Sequence, residues 1–167
     1  KIVKSQKDNS FRGVSINSKN IKRASLFIAI KGKKKDGHNF LNEAIMNGAS
    51  HCVVSKKVKK KFKPIRVKNT FKFLKELSQK KRDASSAKFI AVTGSTGKTT
   101  VKTMIGNMLK KYSKTYFSPQ SYNNHYGVPL SLCNIDPEYD FGVFEVGMNK
   151  SNEIFRLSSL VKPHIGI

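Results

Sequence analysis

The spacing of apolar and polar positions predicts strands and helices that alternate along the chain. Apolar runs that predict strands are SLFIAI (25–30), HCVVS (51–55), PIRVK (64–68), FIAV (89–92), KTYFS (114–118), FGVFEVG (141–147) and HIGI (164–167). Helical spacing predicts helices over NFLNEAIMNGA (39–49), over TFKFLKELSQKKR (70–82), after residue 98, and over about 151–160. This order indicates the α/β class, with parallel sheets covered by helices on both faces.

A polar stretch of small residues, RDASSAK (82–88), divides this pattern. We therefore predict a small N-terminal α/β domain over residues 1–82, a linker over 83–87, and a second parallel-sheet domain over 88–167. The first helix of the second domain should carry one apolar face, made of Val101, Met104, Ile105, Met108, Leu109 and Tyr112.

The charge adds a second hypothesis about function. The chain has 167 residues and a net charge of +23, from 33 basic and 10 acidic residues. Such an excess is typical of proteins that bind nucleic acids. However, the lysines are scattered, and the dense clusters KGKKKDG and KKVKKKFK lack the interleaved aromatics of a single-strand binding surface. Solvated lysines and nonspecific adhesion to polyanions explain the charge without a specific nucleic-acid partner.

Other features favour a cytoplasmic protein. The start, KIVKSQKDNSF, has no secretory core, and no apolar run is long enough to span a membrane. Cys52 and Cys133 are isolated in apolar runs, which predicts reduced core cysteines and no metal or redox role. The chain lacks an initiator Met and stops inside an apparent strand, so we expect it to be a piece of a longer protein.

The stretch AVTGSTGKTTVKTM (91–104) carries the strongest chemical signal. It joins a predicted strand to a predicted helix, and Gly94 and Gly97 allow its backbone to turn tightly. Main-chain amides and the positive end of the helix then form an anion site. Lys98 adds a mobile charge suited to outer phosphates, and Thr99 a hydroxyl suited to phosphate-bound Mg²⁺.

The loop is shorter than a standard Walker A motif, since Val92 occupies the position of its first glycine. A glycine-rich turn that binds nothing is the alternative, and the lysine and threonine favour a nucleotide site. Glu145 ends the strand FGVFE, so we expect its carboxylate to point toward the loop.

Four motifs in this order resemble the Mur ligase family, and most closely its MurF type: SLFIAIKGKKKDGHNFLNEAIMNGA, VTGSTGKTTVK, NNHYGVP and EVGMNKSNEI. The short phosphate loop is typical of this family. The resemblance implies a substrate-binding first domain and a P-loop ATP-binding second domain, of which only the first part is present. Asn17-Ser18-Lys19 departs from the family's Asp-Ser-Arg, and Asn152 replaces a glycine before Glu153-Ile154.

The resemblance also implies an ATP-dependent ligase that joins D-Ala-D-Ala to a UDP-muramoyl-tripeptide through an acyl phosphate. ATP and Mg²⁺ are then required. The protein is expected to be a cytoplasmic monomer without a membrane span and without a specific nucleic-acid partner. Another member of the superfamily, of the MurE type or a folylpolyglutamate synthase, remains an alternative. The family's later His, its carbamylated Lys and its C-terminal domain would lie beyond Ile167.

Site residues follow from the resemblance and the loop chemistry together. ATP is expected to contact Gly94, Ser95, Thr96, Gly97, Lys98, Thr99, Thr100, Asn123 and Asn124. Lys98 and Glu145 are the predicted catalytic residues, and Thr99 and Glu145 the predicted Mg²⁺ ligands. The uridine diphosphate of the substrate is expected at Ser18, Asp36, Gly37 and His38. For Asp36 the alternative is a cap on the following helix, and for the two asparagines a role in the turn itself.

Overall fold

The computed structural model describes residues 11–167, which form two compact units that divide between Phe73 and Leu74. Each unit contains one four-stranded sheet in which all paired strands are parallel. The predicted α/β class is confirmed. Within the described residues, no helix has both the length and the apolar character that crossing a membrane requires. Residues 1–10, which include most of the segment without a secretory core, lie outside the described part.

The first sheet has its strands in chain order. They are β1 (Val14–Ser15), β2 (Ser25–Ile28), β3 (Ala49–Val54) and β4 (Pro64–Arg66). A 3₁₀ turn (Gly37–Phe40) and helix α1 (Leu41–Met46) connect β2 to β3, and a second 3₁₀ turn (Lys60–Phe62) precedes β4. Strand β1 was not predicted, because two residues are too short to show an alternating pattern.

Helix α2 (Thr70–Asp83) matches the predicted helix closely, but its buried side differs from a simple apolar face. Thr70, Leu74, Ser78 and Arg82 are buried at four-residue intervals. Arg82 donates to the carbonyl of Val161 at 2.5 Å, and its guanidinium lies 3.9 Å from the centre of the Phe89 ring. Most of α2 therefore belongs to the second unit, whereas the predicted domain boundary at residue 82 follows the helix. That boundary and the linker over 83–87 stay predictions.

The second sheet has the strand order β6-β7-β5-β8. Its strands are β5 (Lys88–Val92), β6 (Thr115–Phe117), β7 (Phe141–Glu145) and β8 (Ile165–Gly166). Three further helices accompany them: α3 (Lys98–Lys110), α4 (Gly127–Cys133) and α5 (Glu153–Val161). Strand β5 is central in this order, so the loop that leaves its carboxyl end lies beside the ends of its neighbours.

Both faces of the central strands are covered by apolar side chains. On one face Phe89 and Phe144 stack with ring centres 5.2 Å apart, within a cluster that also contains residues of α4 and α5. On the other face Ile90, Val92 and Val143 pack against Ile105 and Leu109 of α3. Burial on both faces explains why these strands are continuous apolar runs in the sequence.

Only part of the predicted apolar face of α3 is buried. Ile105 and Leu109 pack on the sheet, but Met104, Met108 and Tyr112 are 59%, 64% and 88% exposed. Val101 is also exposed. The residues that are buried on this helix are Lys102 and Gly106. The face toward the sheet is thus rotated from the apolar stripe, since a long polar side chain and a glycine occupy positions that the pattern gives to apolar residues.

Helix α4 was not predicted, because its segment contains Pro129 and follows a turn-rich stretch. All of its residues are buried. A short helix buried on every side shows no amphipathic period, and a proline in its first turn loses no intrahelical hydrogen bond.

The two cysteines lie in the cores of their units, as predicted, and both are free. Burial raises the pKa of the Cys52 thiol to about 11 and that of Cys133 to about 12. Both thiols are therefore protonated at neutral pH and poor nucleophiles.

Gly106→Ala tests the close approach of α3 to β6. A Cβ at position 106 would lie 2.5 Å from Cδ1 of Phe117. Alanine favours the helix by about 1 kcal/mol, but overpacking costs about 1–3 kcal/mol, so we expect a net loss of roughly 1 kcal/mol in the free energy of unfolding. Urea unfolding should show it, with the exposed Asn107→Ala as control. A Gly106→Ala protein more stable than its parent would contradict this packing.

Candidate functional site

Strand register places the two halves of the predicted nucleotide site side by side. In the parallel pair of β5 and β7, Val92 is the partner of Glu145. The loop 93–97 therefore leaves the sheet next to the last residue of β7, and α3 begins at Lys98. Ligands of open parallel sheets bind at this carboxyl edge, where connections diverge.

The loop conformation depends on its two glycines. Gly94 has φ 140° and Gly97 has φ 74°, values that L-residues with side chains rarely adopt. Lys98 bends back, and its Nζ donates to the carbonyl of Gly94 at 2.6 Å. The side chains of Ser95, Thr96 and Thr100 are exposed around this turn.

The main-chain amides of this loop form a concentrated set of free donors. Within the described part of the chain, the amides of residues 94–100 donate to no protein acceptor, and the first bonded amide after them is that of Val101. Several adjacent amides at the start of a 13-residue helix carry its positive partial charge. They are suited to an anion with many oxygens, such as a phosphate chain.

Thr99 and Glu145 meet directly beside this loop. The Thr99 hydroxyl donates to Oε2 of Glu145 at 2.7 Å, and the glutamate is 1% exposed. Mg²⁺ prefers oxygen ligands and often takes only one or two from the protein when it is bound with phosphates. Among residues 11–167 no group of three acidic, His or Cys side chains could hold a metal. This hydroxyl–carboxylate pair fits Mg²⁺ only as part of a nucleotide complex.

The two predicted asparagines separate in the structure. Asn123 donates from Nδ2 to Oε1 of Glu145 at 2.7 Å. It therefore joins Thr99 and Glu145 in one cluster of polar side chains. Asn124 instead accepts from the amides of Tyr126 and Gly127, both at 3.0 Å, with its Oδ1. This is the turn role that was the alternative for Asn124, and its contact with ATP stays a prediction.

One member of the cluster was missed by sequence reasoning. The Lys102 side chain is 1% exposed, and its Nζ lies 3.6 Å from Oε2 of Glu145. The same ammonium donates to the carbonyl of Gln120. No sequence signal could have selected Lys102, since lysines occur throughout the chain. Ser121 was also missed; its Oγ lies 3.3 Å from that of Thr99.

The predicted substrate residues of the first unit have partners within the protein. Asp36 accepts from the amide of His38 at 3.0 Å and so caps the 3₁₀ turn. Its carboxylate also contacts His38 Nδ1 and Lys56 Nζ, both at 2.6 Å, and Lys56 is the main cause that holds the pKa of Asp36 far below its ordinary value. Nε2 of His38 accepts from the amide of Ser55 at 2.9 Å.

Gly37 and Ser18 also have specific local environments. A Cβ on Gly37 would lie 2.7 Å from the amide nitrogen of Ile30, so only glycine fits there. Ser18 is 7% exposed and donates to Oε2 of Glu43 at 2.6 Å. These contacts account for the four residues by folding alone, and their contact with a substrate stays a prediction.

Comparison with known proteins gives matches in both units. Residues 10–82 match the family model described as "Mur ligase family, catalytic domain", and residues 92–167 match "Mur ligase middle domain". The UDP-N-acetylmuramoyl-tripeptide–D-alanyl-D-alanine ligase of Rickettsia prowazekii is 38% identical over 156 residues, which are 92% of this chain and 34% of that protein.

Solved structures agree with these matches. A UDP-N-acetylmuramoylalanyl-D-glutamyl-2,6-diaminopimelate–D-alanyl-D-alanyl ligase from Acinetobacter baumannii has a TM-score of 0.81 at 31% identity, over 93% of this chain and 35% of that one. MurF ligase from Thermotoga maritima, solved in complex with ADP, has a TM-score of 0.74 at 32% identity. The match covers 95% of this chain and 37% of that one. The chain thus spans about a third of the length of its relatives.

Glu145→Gln tests the metal half of the site. The change keeps the shape of the side chain and removes its charge, so half-maximal binding of a non-hydrolysable ATP analogue should require about ten times more Mg²⁺. Glu138→Gln, which removes a carboxylate that is 73% exposed, serves as the matched control. An unchanged magnesium titration would remove Glu145 from the metal site.

Proposed function

The chain belongs to the Mur ligase family, and we propose that the protein containing it is the ligase that adds D-alanyl-D-alanine to UDP-N-acetylmuramoyl-tripeptide. The relatives named for this reaction align with more than nine-tenths of the chain. Because the chain spans about a third of those relatives, the reaction and both substrates are proposals for the whole protein.

The observation that carries the proposal is the row of amides at residues 94–100, which donate to no acceptor in the described part of the chain and lie next to the pair of Thr99 and Glu145. Donors that the protein leaves unused are suited to the β- and γ-phosphates of ATP. Lys98 would then leave the Gly94 carbonyl and pair with the outer phosphates. Mg²⁺, when bound, supplies positive charge that neutralises the phosphate oxygens.

The proposed reaction proceeds in two stages that need charge neutralisation and exact positioning. The γ-phosphoryl group passes to the terminal carboxylate of the UDP-muramoyl-tripeptide and forms an acyl phosphate, with release of ADP. The amine of D-Ala-D-Ala attacks the carbonyl carbon, and phosphate leaves as the amide bond forms. Residues 94–100 would hold the phosphate chain during the first stage.

The proposal also includes the predicted location and assembly. Two buried, unpaired cysteines are consistent with a reducing compartment such as the cytoplasm. A monomer stays the prediction for the oligomeric state. Contacts of Ser18, Asp36, Gly37 and His38 with the uridine diphosphate are retained as hypotheses, although their side-chain bonds within the protein would have to be kept or exchanged.

Substrate dependence tests the proposed function. Release of phosphate from ATP by the full-length protein should require both UDP-muramoyl-tripeptide and D-Ala-D-Ala, because the acyl phosphate forms on the first and is consumed by the second. Release that instead requires a UDP-muramoyl-dipeptide and a diamino acid would identify a MurE-type ligase. Dependence on a folate and glutamate would identify a folylpolyglutamate synthase. Either result would replace the proposal.

Lys98→Ala tests the nucleotide loop. Removal of the ammonium opposite the γ-phosphate should lower turnover by about a thousandfold or more, comparable to other charged groups that act on a transferring phosphoryl group. Steady-state phosphate release measures it. Lys110→Ala, at an exposed position of the same helix, should retain parental activity. Comparable turnover in the Lys98→Ala and Lys110→Ala proteins would exclude the assigned role.

A further inference from the structure

The site contains a buried positive charge that the proposed reaction does not use. Lys102 belongs to α3, one turn beyond Lys98, and faces the interior of the second unit. Both Lys102 and Glu145 are 1% exposed, and Nζ of the lysine lies 3.6 Å from Oε2 of the glutamate. The predicted metal ligand therefore has a built-in counter-charge.

Stability alone gives a poor reason for this lysine. A buried ion pair seldom stabilises a fold more than apolar side chains of similar volume. Ile105 and Leu109 of the same helix pack against the sheet, so this side of α3 accommodates apolar residues. Burial lowers the pKa of Lys102, and Glu145 opposes that shift. The partners that offset the cost of burying this ammonium are the carboxylate of Glu145 and the carbonyl of Gln120.

The same ammonium also fixes the loop that follows β6. It donates to the carbonyl of Gln120. Gln120 has φ 48°, a backbone conformation that residues other than glycine, asparagine and aspartate seldom adopt. Two residues of this loop contact the proposed metal ligands: Ser121 lies beside Thr99, and Asn123 binds Glu145. Lys102 therefore connects α3, the end of β7 and this loop at one point.

We propose that Lys102 is the internal counter-ion of Glu145 and a positioning residue of the site, which aims the carboxylate and opposes binding of a divalent cation until a nucleotide contributes its own negative charge. The inference rests on the proposed metal–nucleotide site. A second cation placed at Thr99 and Glu145 is repelled by Lys102 at short range in a poorly screened interior. The phosphates of a nucleotide outweigh that repulsion, so metal and nucleotide bind together.

Binding of Mn²⁺ alone tests the proposal. The full-length protein and its Lys102→Met variant are titrated with Mn²⁺ without nucleotide, and free Mn²⁺ is followed by electron paramagnetic resonance. Removal of the repelling charge should tighten Mn²⁺ binding about tenfold. Lys110→Met, exposed on the same helix, should leave the affinity unchanged, and so should Lys102→Arg, which keeps the charge. The gain should disappear in the double variant Lys102→Met/Glu145→Gln.

Two outcomes would overturn the proposal: a folded Lys102→Met protein that binds Mn²⁺ like its parent, or a gain that persists in the double variant. If Lys102→Met lowers the melting temperature strongly, the double variant should recover it, since no single charge then stays buried; failure to recover would contradict the pairing. Mn²⁺ binding to the Glu145→Gln protein in the presence of a non-hydrolysable ATP analogue separates the proposed role of Lys102 from the proposed metal site. If it leaves Mn²⁺ binding intact there, the proposed metal site itself fails.

Discussion

The parallel pairing of β5 with β7 is the constraint on which the candidate site depends. Because Val92 and Glu145 are register partners, a loop that continues β5 emerges beside the last carboxylate of β7. A shift of one residue would turn the Glu145 side chain to the other face of the sheet. Specific packing opposes such a shift, since Phe144 stacks on Phe89 on one face and Val143 packs with α3 on the other. Core packing thus sets the geometry of the polar site.

The sequence predicts the α/β class, the strands of both sheets except β1, and the phosphate loop, because each follows from a local pattern. It fails where tertiary contacts decide. Gly106 approaches Phe117, and Lys102 turns inward, so the apolar stripe of α3 marks only part of the side that the helix buries. Helix α4 is buried all round and has no period to detect. Asp36 lies far from Lys56 in sequence, so their ion pair leaves no local signal.

The buried polar groups of the second unit form one connected cluster. Glu145 accepts from Thr99 and Asn123 and is paired with Lys102. Each contact offsets part of the cost of removing a carboxylate from water, and the loss of any partner would leave more of that cost uncompensated. These bonds hold the cluster in one arrangement. A site that positions a phosphate chain needs such a fixed arrangement.

The two predicted binding regions differ in what a ligand would have to displace. In the first unit His38 already uses both ring nitrogens, one on Asp36 and one on the amide of Ser55. A ligand that bonded to either nitrogen would leave a protein group unpaired. The gain in binding free energy would then be only the difference between the new hydrogen bond and the one that is lost. The amides of residues 94–100 donate to no acceptor among residues 11–167, so a ligand displaces none there. An anion bound there gains its contacts without breaking any main-chain bond, so the phosphate loop is the better supported of the two sites.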